Sequence, residues 1–393
     1  SRGLGDVYKR QVQGAPEGVK GISLFVVPKF MVNKDGSLGA RNDAHCVSIE
    51  HKLGIKASPT AVLQFGDHGG AVGYLVGQEN RGLEYMFIMM NAARYAVGMQ
   101  GIAISERAYQ KAVQYAKDRV QSRPVDGSIN ASAAIIQHPD VKRMLMTMRA
   151  TVEGCRAMAT VAAAAFDAAH HHPDADTRKQ NQAFYEFMVP LVKGYSTETS
   201  LEVTSLGVQV HGGMGFIEET GAAQYYRDAK ILTIYEGTTA IQANDLVGRK
   251  TARDGGQVAK GIAAQIEKTE ADLLASGTPA ALAVAKRLTA ARKALLDVID
   301  FVAGGTKAQP NAVFAGSVPY LMLAGNVVAG WQLARSLLVA QDLLHKGQDE
   351  AFMRAKITTA QFYADHILVK APGLRDSIVE GAASVTELAL EAF

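Results

Sequence analysis

The chain has 393 residues, of which 48% are hydrophobic and 20% charged, and its formal net charge is +3. This length predicts two or three domains with a large hydrophobic core. The mild net charge argues against a broad basic surface for nucleic acid or for an acidic membrane. No apolar run is long enough to span a bilayer, and the start lacks the form of a signal peptide.

Two cysteines, Cys46 and Cys155, lie far apart and form no CxxC pair. They indicate a reducing compartment rather than a disulfide framework. We expect both to be small residues of the hydrophobic core.

The beginning of the chain predicts a partial β domain. Residues 1–11, SRGLGDVYKRQ, fit neither a strand nor a helix well and are interpreted as a non-native remnant outside the fold. Residues 12–83 contain short apolar runs separated by glycine, proline and aspartate, which is typical of strands. The strands are predicted at residues 22–27, 46–49, 61–65 and 73–76.

From about Leu83 onward the apolar spacing becomes helical. A second helix is predicted over residues 139–169, with a methionine-rich face that fills the core, and a third over 177–210. Pro190 should kink the third helix. The consecutive histidines 170–172 precede a proline and lack the spacing of three or four residues that a metal site on a helix needs. We therefore expect them in an exposed loop and predict no metal.

Beyond Arg249 the polar stretch TARDGG interrupts the chain, and further helices follow. Their apolar stripes are long enough to pack against the rest of the protein or against a partner. No reactive constellation of residues occurs in this part. The helices are predicted near residues 258–266, 282–302, 318–338 and 352–368.

One stretch, residues 207–245, carries the chemistry. Glu236 follows an apolar run and precedes Gly237, and two hydroxyl residues come next. Surroundings of low polarity make a carboxylate a better base, and glycine lets the backbone approach a ligand. Upstream, Gly212 and Gly213 leave backbone open to close contact. Taken singly, these signals indicate only a ligand-binding turn and a candidate base.

The combination of QVHGGMGF with YRDAKILTIYEGTTAIQ resembles the acyl-CoA dehydrogenase family of flavoproteins. HKLGIKASPT and LVGQENRGLEYM extend the resemblance toward the start of the chain. It implies a mainly α fold with a partial β domain: residues 12–83 form part of the middle β domain, 84–250 the C-terminal four-helix bundle, and 251–393 an additional helical domain. That extension resembles the large bacterial members, including those acting on 3-methylthiopropanoyl-CoA. Family members also carry an N-terminal helical domain, so the chain is expected to be a fragment.

The resemblance also assigns roles to single residues. Glu236 matches the catalytic base, and substrate contacts fall on Asn91, Arg94 and Gly237. Without the family, Arg94 would be an exposed helix residue. The FAD contacts fall on Arg119, His138, Gln209, Gly212, Gly213, Thr238 and Ala240. Arg119 suits a pyrophosphate because guanidinium offers several fixed donors. The residues after Arg119 depart from the family pattern, and Pro139 replaces the second member of a His-Gln pair at His138.

The reaction that the resemblance implies is α,β-dehydrogenation of an acyl-CoA thioester. Glu236 removes the α-proton, and the β-hydride passes to FAD. Since FAD crosses a subunit interface in the family, the chain is expected to be a homodimer or larger. Electron-transfer flavoprotein is the implied electron acceptor, and the implied location is the cytoplasm. Acyl chain length and branching stay open.

Three alternatives remain at this point. An acyl-CoA oxidase would use the same base but pass electrons to oxygen. A relative that keeps flavin but binds DNA would need a strongly basic face, whereas the cations here are mixed with acids. A fragment without the N-terminal part would hold the catalytic loop but lack a competent site.

Overall fold

The computed structural model describes residues 5–393. The chain divides into two compact units, one ending at Ala93 and the other spanning Arg94–Phe393. The first unit contains antiparallel sheets, with strand order β1-β2-β7 in one and the pairs β3-β4 and β5-β6 in the others. The strands are β1 (Gly5–Gln11), β2 (Ile22–Pro28), β3 (Phe30–Val32), β4 (Leu38–Arg41), β5 (Ala44–Ile49), β6 (Ala61–Phe65) and β7 (Tyr74–Val76).

The first strand corrects one expectation. Residues 1–11 were expected to fit neither strand nor helix, yet β1 pairs with β2 along its whole length, from Gly5 opposite Pro28 to Gln11 opposite Ile22. Strand formation depends on cross-strand pairing more than on intrinsic propensity, and the apolar strand β2 supplies that partner. Residues 1–4 lie outside the described part.

The other predicted strands are confirmed within one or two residues. The prediction that Cys46 belongs to the hydrophobic core is wrong. Cys46 lies on β5 and is exposed, whereas Cys155 is buried as predicted. β5 pairs only with β6. A two-stranded sheet can leave a whole face in solvent, so an apolar residue in such a strand is not a reliable core residue.

The second unit is helical, and α1 crosses the boundary between the two units. The predicted helices are confirmed, with α2 ending two residues later than expected. The methionines 144, 148 and 158 of α2 are buried, as core packing requires. The helices up to the polar break are α1 (Gly82–Asp118), α2 (Pro139–His171), α3 (Ala175–Pro190), α4 (Ser196–His211), α5 (Ala222–Lys230) and α6 (Thr239–Gly248).

Pro190 ends α3, and the chain continues without a break into a π-helical turn, Leu191–Tyr195, and then α4. Proline lacks the amide donor and clashes with the preceding turn, so an α-helix commonly ends or bends there. The chain is thus irregular directly after Pro190, whereas a kink in the helix axis stays a prediction. All five residues of the π turn are buried, including Lys193.

The histidine run is only partly as expected. All three side chains are exposed, but His170 and His171 belong to the last turn of α2, and His172 is its C-cap. The helix extends past the predicted end because Pro173, which cannot continue a helix, comes only after His172.

The helices beyond the polar break pack onto the bundle. They are α7 (Gln257–Ser276), α8 (Pro279–Gly305), α9 (Pro310–Ala315), α10 (Ser317–His345), α11 (Glu350–His366), α12 (Ala371–Val379) and α13 (Ala382–Thr386). A Cβ at Gly325 of α10 would lie 2.3 Å from the ring of Tyr195, so this glycine sets how closely the two segments approach. Over residues 5–393, none of the helices combines the length and apolar character that crossing a membrane requires.

Candidate active site

Glu236 lies in a short loop between a 3-10 turn, Ile231–Thr233, and α6. Its backbone is in the left-handed region at φ 56°, and Gly237 follows at φ 90°. A non-glycine residue rarely takes this conformation, which costs about 1–3 kcal/mol unless the surroundings enforce it. The loop therefore needs specific support, and the structure supplies it.

Two side chains hold the backbone of this loop. The Lys193 ammonium donates to the Gly237 carbonyl oxygen at 2.7 Å. Gln242 Nε2 donates to the Gly237 carbonyl at 3.3 Å and to the Glu236 carbonyl at 3.4 Å. A Cβ on Gly237 would lie 2.7 Å from Gln242 Nε2, so only glycine fits beneath this amide. The contact of Gly237 with a substrate stays a prediction.

Neighbouring residues tie both ends of the loop to the bundle. The Tyr235 hydroxyl donates to Gln100 on α1, and the Thr239 hydroxyl donates to Glu198 on α4. Thr238 caps α6 by accepting the Ile241 amide at 3.3 Å. Thr238 and Thr239 therefore hold the loop at the N-terminus of α6. The partial positive charge of a helix N-terminus favours an anion there.

Lys193 is a functional residue that the sequence analysis missed. Its side chain is fully buried in the π turn, and burial lowers its pKa to about 8. The carboxylates of Glu198 and Glu236 favour its charged form, and the guanidinium of Arg94 opposes it. A lone lysine in the apolar run Val-Pro-Leu-Val-Lys-Gly-Tyr was the available signal.

The Glu236 side chain is half-buried. Among the side chains that the structure describes, those of residues 11–393, it has no hydrogen-bond or ion-pair partner, although Lys193 lies within electrostatic range. A carboxylate that the fold holds in a strained conformation, without a structural partner, is available to accept a proton.

Arg94 is buried, not exposed, and it faces α6. Its Nη1 lies 3.3 Å from Asp245 Oδ2, and Asp245 also pairs with Arg249 at 2.6 Å. Arg94 Nε is buried without a hydrogen-bond partner in the described chain. The Asp245 carboxylate thus offsets the cost of burying the Arg94 guanidinium, while the Nε donor of Arg94 stays without a partner. Asn91, the other predicted substrate contact, is half-buried on α1 in the first unit.

The glycine loop, Gly212–Phe216, follows α4. Gln209 is exposed on the last turn of the helix, and Gly212 ends it at φ 60°. Added Cβ atoms on Gly212 and Gly213 would meet nothing within 4 Å, so this backbone is open to a ligand or to another chain. Buried His211 fixes the helix end through a hydrogen bond from its Nδ1 to the Gly207 carbonyl at 2.7 Å.

Arg119 and His138 stand at the two ends of the loop that joins α1 to α2. Arg119 is exposed and forms no ion pair within the described residues. His138 is half-buried, and its Nε2 lies 2.8 Å from the Gln121 carbonyl. The predicted site residues thus fall into separate groups: the Glu236 loop with Thr238 and exposed Ala240, the glycine loop, and this connection.

Comparison with protein families identifies two matching regions. Residues 80–250 match the model described as acyl-CoA dehydrogenase, C-terminal domain. Residues 262–389 match the model described as acetyl-CoA dehydrogenase C-terminal like. The first region contains every candidate site residue named above.

Several curated relatives match nearly the whole chain. The chain is 54% identical to 3-methylmercaptopropionyl-CoA dehydrogenase of Ruegeria pomeroyi, over 96% of the chain and 63% of the relative. It is 37% identical to the broad-specificity linear acyl-CoA dehydrogenase FadE5 of Mycobacterium tuberculosis, over 97% of the chain and 64% of the relative. The chain therefore spans a little under two thirds of the length of these proteins.

Solved structures share the fold. An acyl-CoA dehydrogenase from Bacillus anthracis, complexed with FAD, aligns with a TM-score of 0.72 at 20% identity, over 99% of this chain and 62% of that one. Caenorhabditis elegans ACDH-11 in complex with C11-CoA aligns with a TM-score of 0.70 at 19% identity, over 95% and 60% of the two chains. At this identity the likeness concerns the fold alone.

Proposed function

Because the chain belongs to the acyl-CoA dehydrogenase family, we propose that it performs the FAD-dependent α,β-dehydrogenation of an acyl-CoA thioester to the trans-2-enoyl-CoA. The proposal covers the activity of the whole protein, of which the chain spans a little under two thirds when measured against its curated relatives. Glu236 is the base, and the surrounding loop positions it.

The observation that carries the proposal is that Glu236 combines an unpartnered carboxylate with a fixed backbone. Its carboxylate has no structural partner in the described chain, while its backbone is held at φ 56° by the hydrogen bonds to the next carbonyl. A general base needs both a free carboxylate and a fixed position. The half-buried carboxylate is thus placed to take the weakly acidic α-proton.

Removal of the α-proton moves negative charge onto the thioester oxygen, which needs a hydrogen-bond donor. The backbone N–H of Glu236 is free of hydrogen bonds within the described residues. It is the donor that we assign to this oxygen. Lys193 and Gln242 bind the carbonyls of the next two peptides along the chain, those of Glu236 and Gly237, and so restrict movement of this donor.

The described residues also fit FAD. Arg119 offers an exposed guanidinium without an ion pair, which suits a pyrophosphate. The open backbone of Gly212 and Gly213, beside exposed Gln209, suits close contact with the nucleotide. The remaining contacts are assigned to His138, Thr238 and the backbone of Ala240. Bound FAD supplies the acceptor for the hydride that leaves the β carbon.

We assign the glycine loop to a FAD bound mainly by a second subunit, so the protein is a homodimer or larger. Support comes from exposed apolar side chains at this loop: Phe216 is 87% exposed and Met214 45%. Apolar side chains exposed beside a polar ligand site are typical of a surface that a partner covers. Electron-transfer flavoprotein is the proposed acceptor of the electrons.

For the acyl group we propose 3-methylthiopropanoyl-CoA, with short linear acyl-CoA as the broader class. The support is the 3-methylmercaptopropionyl-CoA dehydrogenase of Ruegeria pomeroyi, which is named for the same acyl group and is 54% identical over 96% of the chain. The second relative carries a name that states broad specificity for linear acyl-CoA.

The test is the visible spectrum of the chain loaded with FAD, under anaerobic conditions. Addition of 3-methylthiopropanoyl-CoA should bleach the flavin, and butanoyl-CoA should bleach it more slowly. The full-length Ruegeria pomeroyi relative serves as the positive control. Reoxidation by electron-transfer flavoprotein, but not by oxygen alone, distinguishes a dehydrogenase from an oxidase. Bound flavin that no acyl-CoA bleaches would contradict the proposal.

A further inference from the structure

Three side chains that play no part in the proposed reaction meet in the first unit. Asp43 directly precedes β5, His45 lies within β5, and His68 lies in the loop after β6. Because Ala44 pairs with Phe65, the start of β5 and the loop after β6 are adjacent. The ligand atoms of all three side chains lie within 4.8 Å of one another.

We propose that Asp43, His45 and His68 bind a divalent transition-metal ion, with Zn²⁺ as the best match to these ligands. Two imidazoles and one carboxylate are the ligand types that zinc, cobalt and nickel prefer, whereas magnesium and calcium prefer sites made of oxygen. The proposal is independent of the dehydrogenase reaction.

Two distances between ligand atoms are compatible with a bridging ion. Asp43 Oδ1 lies 3.4 Å from His45 Nε2 and 3.3 Å from His68 Nδ1. Two ligand atoms at the tetrahedral angle around a zinc ion are about 3.3–3.5 Å apart, given bond lengths of about 2.0–2.2 Å. A charge-assisted hydrogen bond from imidazole to carboxylate is shorter, about 2.7–2.9 Å. These two distances match two edges of a zinc tetrahedron, and the His68–Asp43 contact is at the same time a long hydrogen bond.

The carboxylate is held in the orientation that binding needs. Asp43 Oδ2 accepts the backbone amides of His68 at 2.6 Å and Gly70 at 3.2 Å, which leaves Oδ1 facing the two imidazoles. Outer hydrogen bonds of this kind orient metal ligands.

The loop that carries His68 is itself anchored. Asn42 Nδ2 donates to the carbonyls of Pro28 and Val72, each at 2.8 Å, and Asn42 Oδ1 accepts the Val72 amide at 2.9 Å. The loop is thus closed before any ion binds, which lowers the entropic cost of assembling the site.

The imidazoles remain reachable from solvent. The exposed fraction of the side chain is 39% for His45 and 75% for His68, against 9% for Asp43. An ion bound by three protein ligands on this surface keeps a fourth position for water, as open zinc sites do. The sequence analysis missed the cluster because 22 residues separate His45 from the loop residue that completes it.

The experiment uses the untagged chain and Co²⁺, whose visible absorption reports nitrogen ligands. The exposed histidines 170–172 are replaced by asparagine in every variant, so that these adjacent imidazoles contribute nothing to the signal. Into this background we introduce His45→Gln, His68→Gln or, as the matched control, His51→Gln. His51 is an exposed histidine of the same unit that lies outside the cluster.

The background chain should bind Co²⁺ with a visible band that Zn²⁺ abolishes by competition and Mg²⁺ does not. Each cluster variant should weaken binding by about tenfold or more, because it removes a direct ligand, whereas His51→Gln leaves it unchanged. Circular dichroism verifies that the variants fold. Absence of a band in the background chain, or equal affinity in His68→Gln and His51→Gln, would mean that the three groups only hydrogen-bond, and would overturn the proposal.

Discussion

Replacing Lys193 with methionine tests the support of the Glu236 loop, because it removes a charge from the interior without removing much volume. The ammonium is fully buried and donates to the Gly237 carbonyl. Burial lowers its pKa to about 8 from an ordinary value of 10.5. That difference corresponds to about 3 kcal/mol of unfolding free energy.

The sign of the pH dependence follows from where the proton resides. Below pH 8, Lys193 is protonated in both the folded and the unfolded chain, and the folded state bears the full cost of the buried charge. Between pH 8 and 10.5 only the unfolded chain holds the proton, so the free energy of unfolding rises with pH. Above pH 10.5 that cost has disappeared.

The assay is urea unfolding followed by circular dichroism, for the wild type and Lys193→Met in parallel. The wild-type free energy minus that of the variant should rise by about 2–3 kcal/mol between about pH 7 and about pH 10. Lys179→Met, which changes an exposed lysine on α3, is the control and should give a flat difference. A flat or falling difference for Lys193→Met would refute the assignment of a buried charge.

Three further outcomes are expected. Gly237→Ala should lower the free energy of unfolding by about 1–3 kcal/mol in urea titrations, since φ is 90° there, and should abolish flavin reduction by acyl-CoA. Gly325→Ala should cost about 1–3 kcal/mol in the same assay, because its Cβ would lie 2.3 Å from the Tyr195 ring. A thiol-specific disulfide reagent should titrate exposed Cys46 in the native chain and Cys155 only in denaturant, because Cys155 is buried and burial raises the pKa of its thiol to about 11.

The controls come from the same chain. Gly261→Ala adds a methyl group to α7 where nothing lies within 4 Å, and it should be neutral or slightly stabilising. If Gly237→Ala or Gly325→Ala were as stable as Gly261→Ala, the close contacts would be wrong. Cys46→Ser should remove the fast-reacting thiol, and a fast thiol that persists in this variant would contradict the burial of Cys155.

The helices were predictable because their apolar periodicity is strong and long. The spacing of apolar residues located α2, α8 and α10, and Pro190 marked the irregular turn between α3 and α4. Local patterns failed where distant partners decide the outcome. Residues 5–11 become a strand only because β2 pairs with them.

At the site, the family resemblance drew attention to Glu236, but no local pattern gave the conformation of its loop. The support comes from Lys193 and Gln100, which are distant in sequence and meet the loop only in the folded bundle. Arg94 was expected on the surface without the family, yet the fold buries it because Asp245 supplies a carboxylate from α6. Long-range partners of this kind cannot be identified from spacing alone.

The central claim is that Glu236 is the base. It is tested most directly by the anaerobic flavin spectrum of the FAD-loaded chain after addition of 3-methylthiopropanoyl-CoA. The comparison is between Glu236→Gln and Glu219→Gln, the latter a change at an exposed glutamate of the 3-10 turn Glu218–Thr220. We predict that Glu219→Gln bleaches like the wild type, whereas Glu236→Gln binds the thioester and keeps its oxidised spectrum. Bleaching of Glu236→Gln at the wild-type rate would contradict the account.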